Sequence, residues 1–261
     1  MLTINLKGKT AIVTGVSSGI GLGVAKVLAK AGCNISGCGT SVENSKAALT
    51  FLKAIKEEGT EALYTCLDVT SQQDREHLVN KTSTTFSQID ILVSNAGINV
   101  FKGAKDCTEE QWEFNMSLNL KSHWALSKLC KPYLESSNNG VIILMTSNHA
   151  YHSIPGCFPY NVAKTAIKGL VQSLAIEWGP KIRTVGIAPG FIDTPGNQKW
   201  FNSFPDAKAE RQRTINMHPV KTLGTTEDVG YLCAFLASDM ARFISGTTYL
   251  IDGGRSALMQ D

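Results

Sequence analysis

The sequence has no long apolar run. No segment approaches the roughly 20 consecutive apolar residues that a membrane helix needs, and residues 1–14 do not resemble a signal peptide. The net charge is only +3, from 25 Lys and Arg against 22 Asp and Glu that are spread along the chain. Such a distribution lacks the basic stripe that binds nucleic acid. We therefore expect a soluble, cytoplasmic protein with no nucleic acid and no membrane partner.

Closely spaced cysteine pairs are also missing. The chain has seven cysteines, an odd number, and none of them forms a CxxC pair. This spacing suits neither a disulfide framework nor a zinc site, so we expect no metal. With 43% hydrophobic and 18% charged residues, the composition is that of a folded globular protein.

Apolar runs of strand length recur along the chain. They lie at residues 9–14, 34–38, 62–66, 89–94, 141–146, 182–188 and 247–252. Between them stand apolar stripes at helical spacing, such as the one through Ile20, Val24 and Val27. Strands that are apolar throughout are buried on both faces, as in parallel sheets. The alternation predicts an α/β fold, a doubly wound, Rossmann-type parallel sheet of about seven strands with helices on both faces.

One stretch interrupts the alternation. Residues 194–219 are largely polar but contain Trp200, Phe201 and Phe204. A long insertion beside strand ends is often a substrate lid. Because no linker or repeat divides the chain, we expect a single domain over residues 1–261 with 194–219 as its lid.

A glycine-rich turn, TGVSSGIG at residues 14–21, stands between the first predicted strand and the first helical stripe. Glycines let the backbone approach a pyrophosphate, which free N–H groups at the start of the helix then bind. The spacing is GxxxGxG and not the GxGxxG fingerprint of dinucleotide sites. Taken alone, the turn gives weak support for a nucleotide site.

The second predicted strand ends without an acidic residue. An acid about 20 positions after such a turn usually binds the adenosine ribose and repels a 2′-phosphate. No Asp or Glu occurs from Leu22 to Val42. Thr40 and Ser41 could donate hydrogen bonds to a 2′-phosphate, although no arginine stands beside them. The sequence slightly favours NADP(H) over NAD(H).

Further motifs follow in the order of a known family. They are Asn-Ala-Gly at residues 95–97, Asn119, Ser147, YxxxK at 160–164, and Pro189-Gly190 with Thr194. Together with the glycine turn, they resemble the short-chain dehydrogenase/reductases over nearly the whole chain. The resemblance implies an NAD(P)(H)-dependent oxidoreductase that interconverts a secondary alcohol and a ketone, such as a small alcohol, sugar, polyol or hydroxy acid.

Tyr160 and Lys164 are four residues apart in a predicted helix, so both lie on one face. A nearby ammonium favours the ionised phenol, and together with the positive ring of the nicotinamide we expect it to lower the pKa enough for Tyr160 to act as general acid or base near pH 7. Ser147, at a predicted strand end, could hold the reacting oxygen beside Tyr160. The resemblance adds that Lys164 holds the nicotinamide ribose and that Asn119 carries a water linking Lys164 to solvent.

The turn and the family's motif positions together give a set of cofactor-binding candidates. They are Gly15, Ser17, Gly19, Ile20, Gly21, Thr40, Asp68, Val69, Asn95, Ala96, Gly97, Tyr160, Lys164, Ile192 and Thr194. For Asn95, a structural role that fixes adjacent strands is an equal alternative.

The substrate candidates are Ser147, His149, Tyr160 and Trp200. His149 and the nearby His152 could donate hydrogen bonds to a polyhydroxylated or acidic substrate, or could simply face water. Trp200 could form an apolar or sugar-stacking wall, or could pack on the core.

Two other functions stay open. A 3-oxoacyl thioester (acyl carrier protein) reductase using NADPH fits the acid-free strand end, with Lys102 and Lys105 as possible contacts of the acidic carrier. A non-catalytic nucleotide-sensing protein would be expected to lose Tyr160, Lys164 or Ser147, and all three are present. The resemblance further implies a small-molecule substrate and a homo-oligomer, either a tetramer or a dimer.

Overall fold

A seven-stranded parallel sheet forms the centre of the computed structural model, which describes residues 3–258. Its strands are β1 (Thr10–Thr14), β2 (Asn34–Gly39), β3 (Ala62–Cys66), β4 (Ile91–Ser94), β5 (Gly140–Met145), β6 (Ile182–Pro189) and β7 (Thr248–Ile251). Their order in the sheet is β3-β2-β1-β4-β5-β6-β7, and every neighbouring pair is parallel. The predicted doubly wound parallel sheet is confirmed. Its strand order reverses between β1 and β4, where open α/β sheets bind ligands.

Helices follow the strands along the chain. They are α1 (Gly19–Lys30), α2 (Lys46–Glu57), α3 (Gln72–Phe86), α4 (Glu109–Met116), α5 (Ser122–Ser136), α6 (Tyr160–Trp178), α7 (Pro195–Phe201), α8 (Ala207–Asn216) and α9 (Thr226–Ala237). A π-helical turn, Ser117–Lys121, joins α4 to α5, and a 3-10 turn, Asn148–Ala150, follows β5. Within residues 3–258, no helix is both long and apolar enough to cross a bilayer.

The two faces of the sheet bury separate apolar cores. Val13 of β1 packs with residues of α1, α2 and α9, whereas its neighbour Ile12 packs with residues of α3, α5 and α6. Successive side chains of a strand point to opposite faces, which is why a strand apolar throughout needs helices on both sides. Burying each such side chain stabilises the fold by about 1.5–3 kcal/mol.

Residues 194–219 contain α7 and α8, so this stretch is helical and not an irregular loop. Trp200 packs against Phe191, Phe201 and Phe204, with ring centroids 5.6, 5.2 and 4.8 Å away. Arg211 of α8 forms an ion pair with Asp193, at 2.5 Å from Nη2 to Oδ2. These contacts hold the two helices beside the carboxyl end of β6.

Candidate active site

The glycine turn and the Asn-Ala-Gly segment meet where the strand order reverses. The Thr14 hydroxyl accepts hydrogen bonds from the backbone N–H groups of Asn95 and Ala96, both at 2.8 Å. The Asn95 side-chain amide donates to the carbonyl oxygen of Thr14, also at 2.8 Å. Asn95 thus ties β4 to β1, which is the structural alternative considered for it.

The glycine turn leaves the start of α1 without a side-chain cap. Ser18 stands at the N-cap position but makes no capping hydrogen bond, and the first turn contains no acid. Gly15 and Gly19 have positive φ angles of 76° and 59°, which glycine adopts without strain. Gly21 is buried, and a Cβ there would lie 2.2 Å from the Gly15 carbonyl oxygen. Gly21 therefore allows the tight turn, while the first N–H groups of α1 remain available to an anion.

The end of β2 packs against Ser17 and Tyr64. A Cβ on Gly39 would lie 2.2 Å from Ser17 Oγ, so a larger residue there would displace that serine. The Tyr64 hydroxyl lies 3.3 Å from Ser17 Oγ and donates to the Ser41 carbonyl oxygen at 2.8 Å. Thr40 is exposed beside them. Tyr64 contacts two of the predicted nucleotide positions, yet no local sequence signal marks it.

An acidic side chain also reaches this edge of the sheet. Glu43, the residue after the acid-free stretch, accepts a long hydrogen bond of 3.5 Å from the backbone N–H of Cys66, at the end of β3. Asp68, two residues after Cys66, is exposed, and its Oδ1 accepts a hydrogen bond from the backbone N–H of Thr70 at 2.8 Å. Val69 is buried, so only its backbone can contact a ligand. Glu43 therefore places a carboxylate beside the end of β3.

Asn119 lies in the π-helical turn and holds the loop after β4. Its Nδ2 donates to the Ile98 carbonyl oxygen at 3.0 Å and to Asn115 Oδ1 at 2.9 Å, while its Oδ1 accepts from the Ile98 N–H. Asn115 in turn donates to the Pro159 carbonyl oxygen, next to Tyr160, at 3.0 Å. No motif marks Asn115 in the sequence, although it lies one helical turn before Asn119.

Gly97 lets three groups come close together. A Cβ at this position would lie 2.6 Å from Asn119 Oδ1 and 3.5 Å from Lys164 Nζ. The side chain of Asn119 and the ammonium of Lys164 therefore approach the backbone of the Asn-Ala-Gly segment from one side. A larger residue at position 97 would separate them.

Tyr160 and Lys164 lie in the first turns of α6, and both are buried. Lys164 Nζ is 5.6 Å from the centroid of the Tyr160 ring and donates to the Met145 carbonyl oxygen at 3.0 Å. The Thr146 hydroxyl donates to the Lys164 carbonyl oxygen at 2.5 Å. Tyr160 and Lys164 therefore lie on one face of α6, as expected. The hydrogen bonds of Lys164 to Met145, the last residue of β5, and to the following Thr146 hold that face against the sheet.

Burial of Tyr160 opposes the lowered pKa that we expect for it beside the nicotinamide. Burial raises the pKa of Tyr160 to about 12, and its contact with the Ser147 hydroxyl lowers that pKa by less. Burial likewise lowers the pKa of Lys164 to about 7. Helical spacing places an amine near the phenol but does not reveal that both groups are removed from water, which disfavours both charged forms.

Ser147 is the second residue after the end of β5 and is buried. Its Oγ accepts from the backbone N–H of His149 at 3.2 Å, which shapes the 3-10 turn. The His149 ring lies edge-on to Tyr160, with centroids 6.3 Å apart, and Phe101 contacts both rings at 5.8 and 5.4 Å. His152 is exposed. Phe101 was missed because nothing in its neighbourhood in the sequence connects it to Tyr160.

The segment after β6 crosses to the glycine turn. A Cβ on Gly19 would lie 3.5 Å from the Thr194 methyl group, so these two predicted cofactor positions face each other. Ile192 is buried and bridges to Gly224. Trp200 is 40% exposed, and its ring contacts are with Phe191, Phe201 and Phe204. Trp200 thus belongs to the aromatic cluster of the 194–219 stretch and not to the rings around Tyr160.

The sequence and the fold match known oxidoreductases. A family model described as enoyl-(acyl carrier protein) reductase matches residues 15–256. Dehydrogenase/reductase SDR family member 4 of Sus scrofa is 34% identical over 255 residues, which cover 97% of this chain and 88% of that protein. The chain belongs to the short-chain dehydrogenase/reductase family. It is an NAD(P)-dependent oxidoreductase that acts on CH–OH groups.

Two solved structures of the same fold have related activities. A 7α-hydroxysteroid dehydrogenase complexed with NADH and 7-oxo glycochenodeoxycholic acid is 31% identical, with a TM-score of 0.87 over 97% of this chain and 96% of that one. Thermoplasma acidophilum aldohexose dehydrogenase is 26% identical, with a TM-score of 0.89 over 99% of this chain and 98% of that one. These enzymes act on different substrates, so the fold leaves the substrate open.

The site fits a dinucleotide. The uncapped start of α1 offers backbone N–H groups to a pyrophosphate, and the glycine at position 97 leaves room for a ligand to approach Lys164 and Asn119. Among residues 3–258, no group of three or more His, Cys, Asp or Glu side chains could hold a metal ion.

Proposed function

We propose that the protein interconverts a secondary alcohol and a ketone, with Tyr160 as general acid or base. The observation that carries this proposal is the convergence of Tyr160, Ser147 and Lys164, all buried, beside the reversal point of the sheet. A buried phenol and hydroxyl can hold one substrate oxygen between them, and a fixed geometry favours transfer. The relative that binds a 7-oxo steroid has a ketone ligand, which agrees with this reaction class.

In ketone reduction, Ser147 Oγ donates a hydrogen bond to the carbonyl oxygen, and Tyr160 gives that oxygen its proton. The nicotinamide, when bound, supplies the hydride in reduction and accepts it in oxidation. A pKa of about 12 keeps Tyr160 protonated at neutral pH, the form that reduction requires. In alcohol oxidation, Tyr160 takes the proton instead. Before this transfer Tyr160 is the phenolate, which the Lys164 ammonium stabilises from beside the ring, and Asn119 positions the water that links Lys164 to solvent so that the proton can leave.

For the cofactor, we retain a slight preference for NADP(H). It is supported by the absence of an acid in β2 and by the exposed Thr40 beside Ser41. We place the pyrophosphate at Ser17, Gly19 and Ile20, and the nicotinamide ribose at Lys164. Ile192 and Thr194 would cover the nicotinamide, and the backbone at Asp68 and Val69 would meet the adenine.

The test is a rate measurement with a matched pair of variants. We expect wild type to oxidise secondary alcohols and to reduce ketones with NADP(H) or NAD(H). Tyr160→Phe should bind nucleotide normally but lose nearly all turnover, about 10³-fold or more, because the proton donor is gone. Tyr133→Phe, which removes a hydroxyl from the same residue type on α5, is the control and should keep its rate. A Tyr160→Phe variant with most of its rate would overturn the mechanism.

The second candidate is a 3-oxoacyl thioester reductase. It is favoured by the acyl carrier protein in the description of the matching family and by the exposed Lys102 and Lys105 in the loop after β4. Adding an acyl thioester to the substrate panel separates the two functions. A kcat/KM for the thioester far above that for every free ketone would establish the second candidate.

Three broader proposals accompany the function. We propose that residues 1–261 form one domain and that residues 194–219 close over the substrate as a lid. The aromatic cluster around Trp200 supports the role of this stretch as a lid.

We also propose a homo-oligomer, either a dimer or a tetramer. It is supported by the exposed Phe114 and Trp124, which line a groove of about 710 Å³ together with Leu120 and Leu170. The cytoplasmic location stays a prediction.

A further inference from the structure

His149 stands closer to the reacting groups than its exposed neighbour His152. It is the second residue after Ser147, and its backbone N–H donates to the Ser147 hydroxyl at 3.2 Å. Its ring meets the Tyr160 ring at an interplanar angle of 78°, with centroids 6.3 Å apart. The imidazole is therefore held beside the point where Ser147 and Tyr160 would share the substrate oxygen.

A third ring fixes the orientation of this imidazole. Phe101 lies edge-on to His149 and to Tyr160, with centroids 5.8 and 5.4 Å away. Phe101 is itself held through an antiparallel bridge to Pro159, and the next residue, Lys102, donates its N–H to the Phe158 carbonyl oxygen at 2.8 Å. The three rings therefore contact one another, and His149 is the polar member of this group.

The imidazole has unused hydrogen-bonding capacity. Its Nδ1 is buried and has no hydrogen-bond partner in the part of the chain that the structure describes. Burial also lowers the pKa of His149, and a backbone hydrogen bond with His152 raises it by less. The neutral ring has one donor and one acceptor, and a hydrogen bond from the ring to a substrate group adds affinity. A neutral ring suits a hydroxyl or carbonyl better than a carboxylate.

We propose that His149 determines substrate specificity by hydrogen bonding to an oxygen on the carbon next to the reacting one. The preferred substrates are then vicinal compounds, namely 1,2-diols, α-hydroxyketones and 1,2-diketones. The inference follows from the hydrogen bond of the His149 backbone N–H to Ser147 Oγ and from the contact of the His149 and Tyr160 rings, which keep the imidazole beside the two groups that would hold the reacting oxygen. It rests on the proposed alcohol and ketone chemistry. His149 gains and loses no proton in it, since the hydride comes from the nicotinamide and the proton from Tyr160.

The test compares two ketones that differ by one hydroxyl group, 3-hydroxybutan-2-one and butan-2-one, with NADPH or NADH. We expect wild type to favour the hydroxyketone about tenfold in kcat/KM. His149→Phe keeps a ring between Phe101 and Tyr160 but removes both nitrogens, and it should bring this ratio close to one. His149→Gln, which retains a donor and an acceptor, should restore part of the preference. His77→Phe, the same change at an exposed position of α3, is the control and should leave the ratio as it is.

The outcomes separate this inference from the function on which it rests. If wild type reduces both ketones equally, or if His149→Phe keeps the tenfold ratio, the role of His149 is wrong while the ketone chemistry stands. A preference for pyruvate over 3-hydroxybutan-2-one would also overturn it, because a carboxylate would then be the recognised group. If wild type reduces neither ketone but reduces an acyl thioester, both proposals fail together. Nucleotide binding by each variant checks that it is folded.

Discussion

At the scale of single residues, burial decides the charge of the two central side chains. Lys164 and Tyr160 are removed from water, and each is pushed toward its neutral form. The neutral pair suits the donation of a proton to a ketone. For alcohol oxidation the phenolate must form, and a positive charge brought close to Tyr160 lowers its pKa. Burial therefore disfavours the charged forms of both side chains until a nearby charge shifts their pKa values.

The buried amine makes a prediction about stability. The unfolded chain holds the Lys164 proton up to its ordinary pKa of 10.5, whereas the folded protein releases it near 7. Between these values the unfolded state binds more protons, so this group destabilises the fold most below pH 7 and the penalty fades toward pH 10.5. Lys164→Met should therefore be more stable than wild type near pH 7, with an advantage that shrinks by about 3 kcal/mol toward about pH 10.

Urea unfolding of both proteins at several pH values measures this difference. Other titrating groups, including the buried cysteines, occur in both proteins and cancel in the comparison, except His123, whose pKa is lowered first by burial and further by Lys164. An advantage that stays constant with pH would show that Lys164 is charged in the fold. The same variant should lose turnover and nucleotide affinity together, because two roles are assigned to Lys164.

Glu43 makes a second prediction at this scale. Its carboxylate, beside the end of β3, would repel a 2′-phosphate. Glu43→Gln should therefore increase the affinity for NADP+ relative to NAD+ by about three- to tenfold. Glu57→Gln, a change at an exposed acid of α2, controls for net charge and should not alter the ratio. Titration of each nucleotide by fluorescence or calorimetry gives the ratio, and an unchanged value in Glu43→Gln would place the 2′ position elsewhere.

At the scale of elements, α1 differs from α9 in how it begins. Thr225 and Asp228 form a reciprocal capping box at the start of α9, with hydrogen bonds of 3.1 and 2.7 Å. Ser18, at the same position of α1, makes no side-chain cap. The two helices pack against each other on one face of the sheet. The capping box therefore stabilises the first turn of α9, whereas the first turn of α1 keeps N–H groups that can bind a ligand.

This contrast gives matched substitutions. Thr225→Ala should lower the free energy of unfolding by about 1 kcal/mol, because it leaves N–H groups of α9 without a partner. Ser18→Ala should change it by less than about 0.5 kcal/mol, since no capping bond is lost. Both are measured by urea unfolding without nucleotide. An equal loss in the two variants would mean that Ser18 caps α1 in solution.

At the scale of the whole molecule, an apolar groove lies outside the site. Phe114 and Trp124 are 48% and 43% exposed and line the groove between α4, α5 and α6. An exposed apolar surface of this kind often marks contact with another protein. In the proposed homo-oligomer, a second copy of the chain packs in this groove.

A substitution that places one charged side chain in the groove tests whether the chain forms an oligomer through it. Trp124→Glu should reduce the mass measured by size-exclusion chromatography with light scattering, because a carboxylate would be buried without a partner in the interface. Leu49→Glu places the same charge on an exposed apolar position of α2 and should leave the mass unchanged. A wild-type protein that is monomeric at all concentrations would exclude the proposal.

Most of the fold was predictable because its signals are local. The strand runs at 62–66 and 182–188 agree with β3 and β6 to within one residue, and the helical stripe from Ile20 lies in α1. Residues 194–219 were read as a polar insertion, and their two helices were missed because the apolar residues there do not form a regular stripe. The motifs that locate the site could be predicted for the same reason, since each is a short pattern, either at a strand end or, for Asn119 and the YxxxK motif, within a helix.

The sequence by itself determined the alternation of buried strands and helices, the order of the motifs and the family. The tertiary structure alone decided which distant residues meet. Asn95 binds Thr14 across 81 positions of sequence, and Phe101 contacts Tyr160 from a separate loop. It also decided the direction in which the pKa of Tyr160 moves. The physical reason is that periodicity reports neighbours within one or two turns, whereas burial depends on every element packed around a side chain.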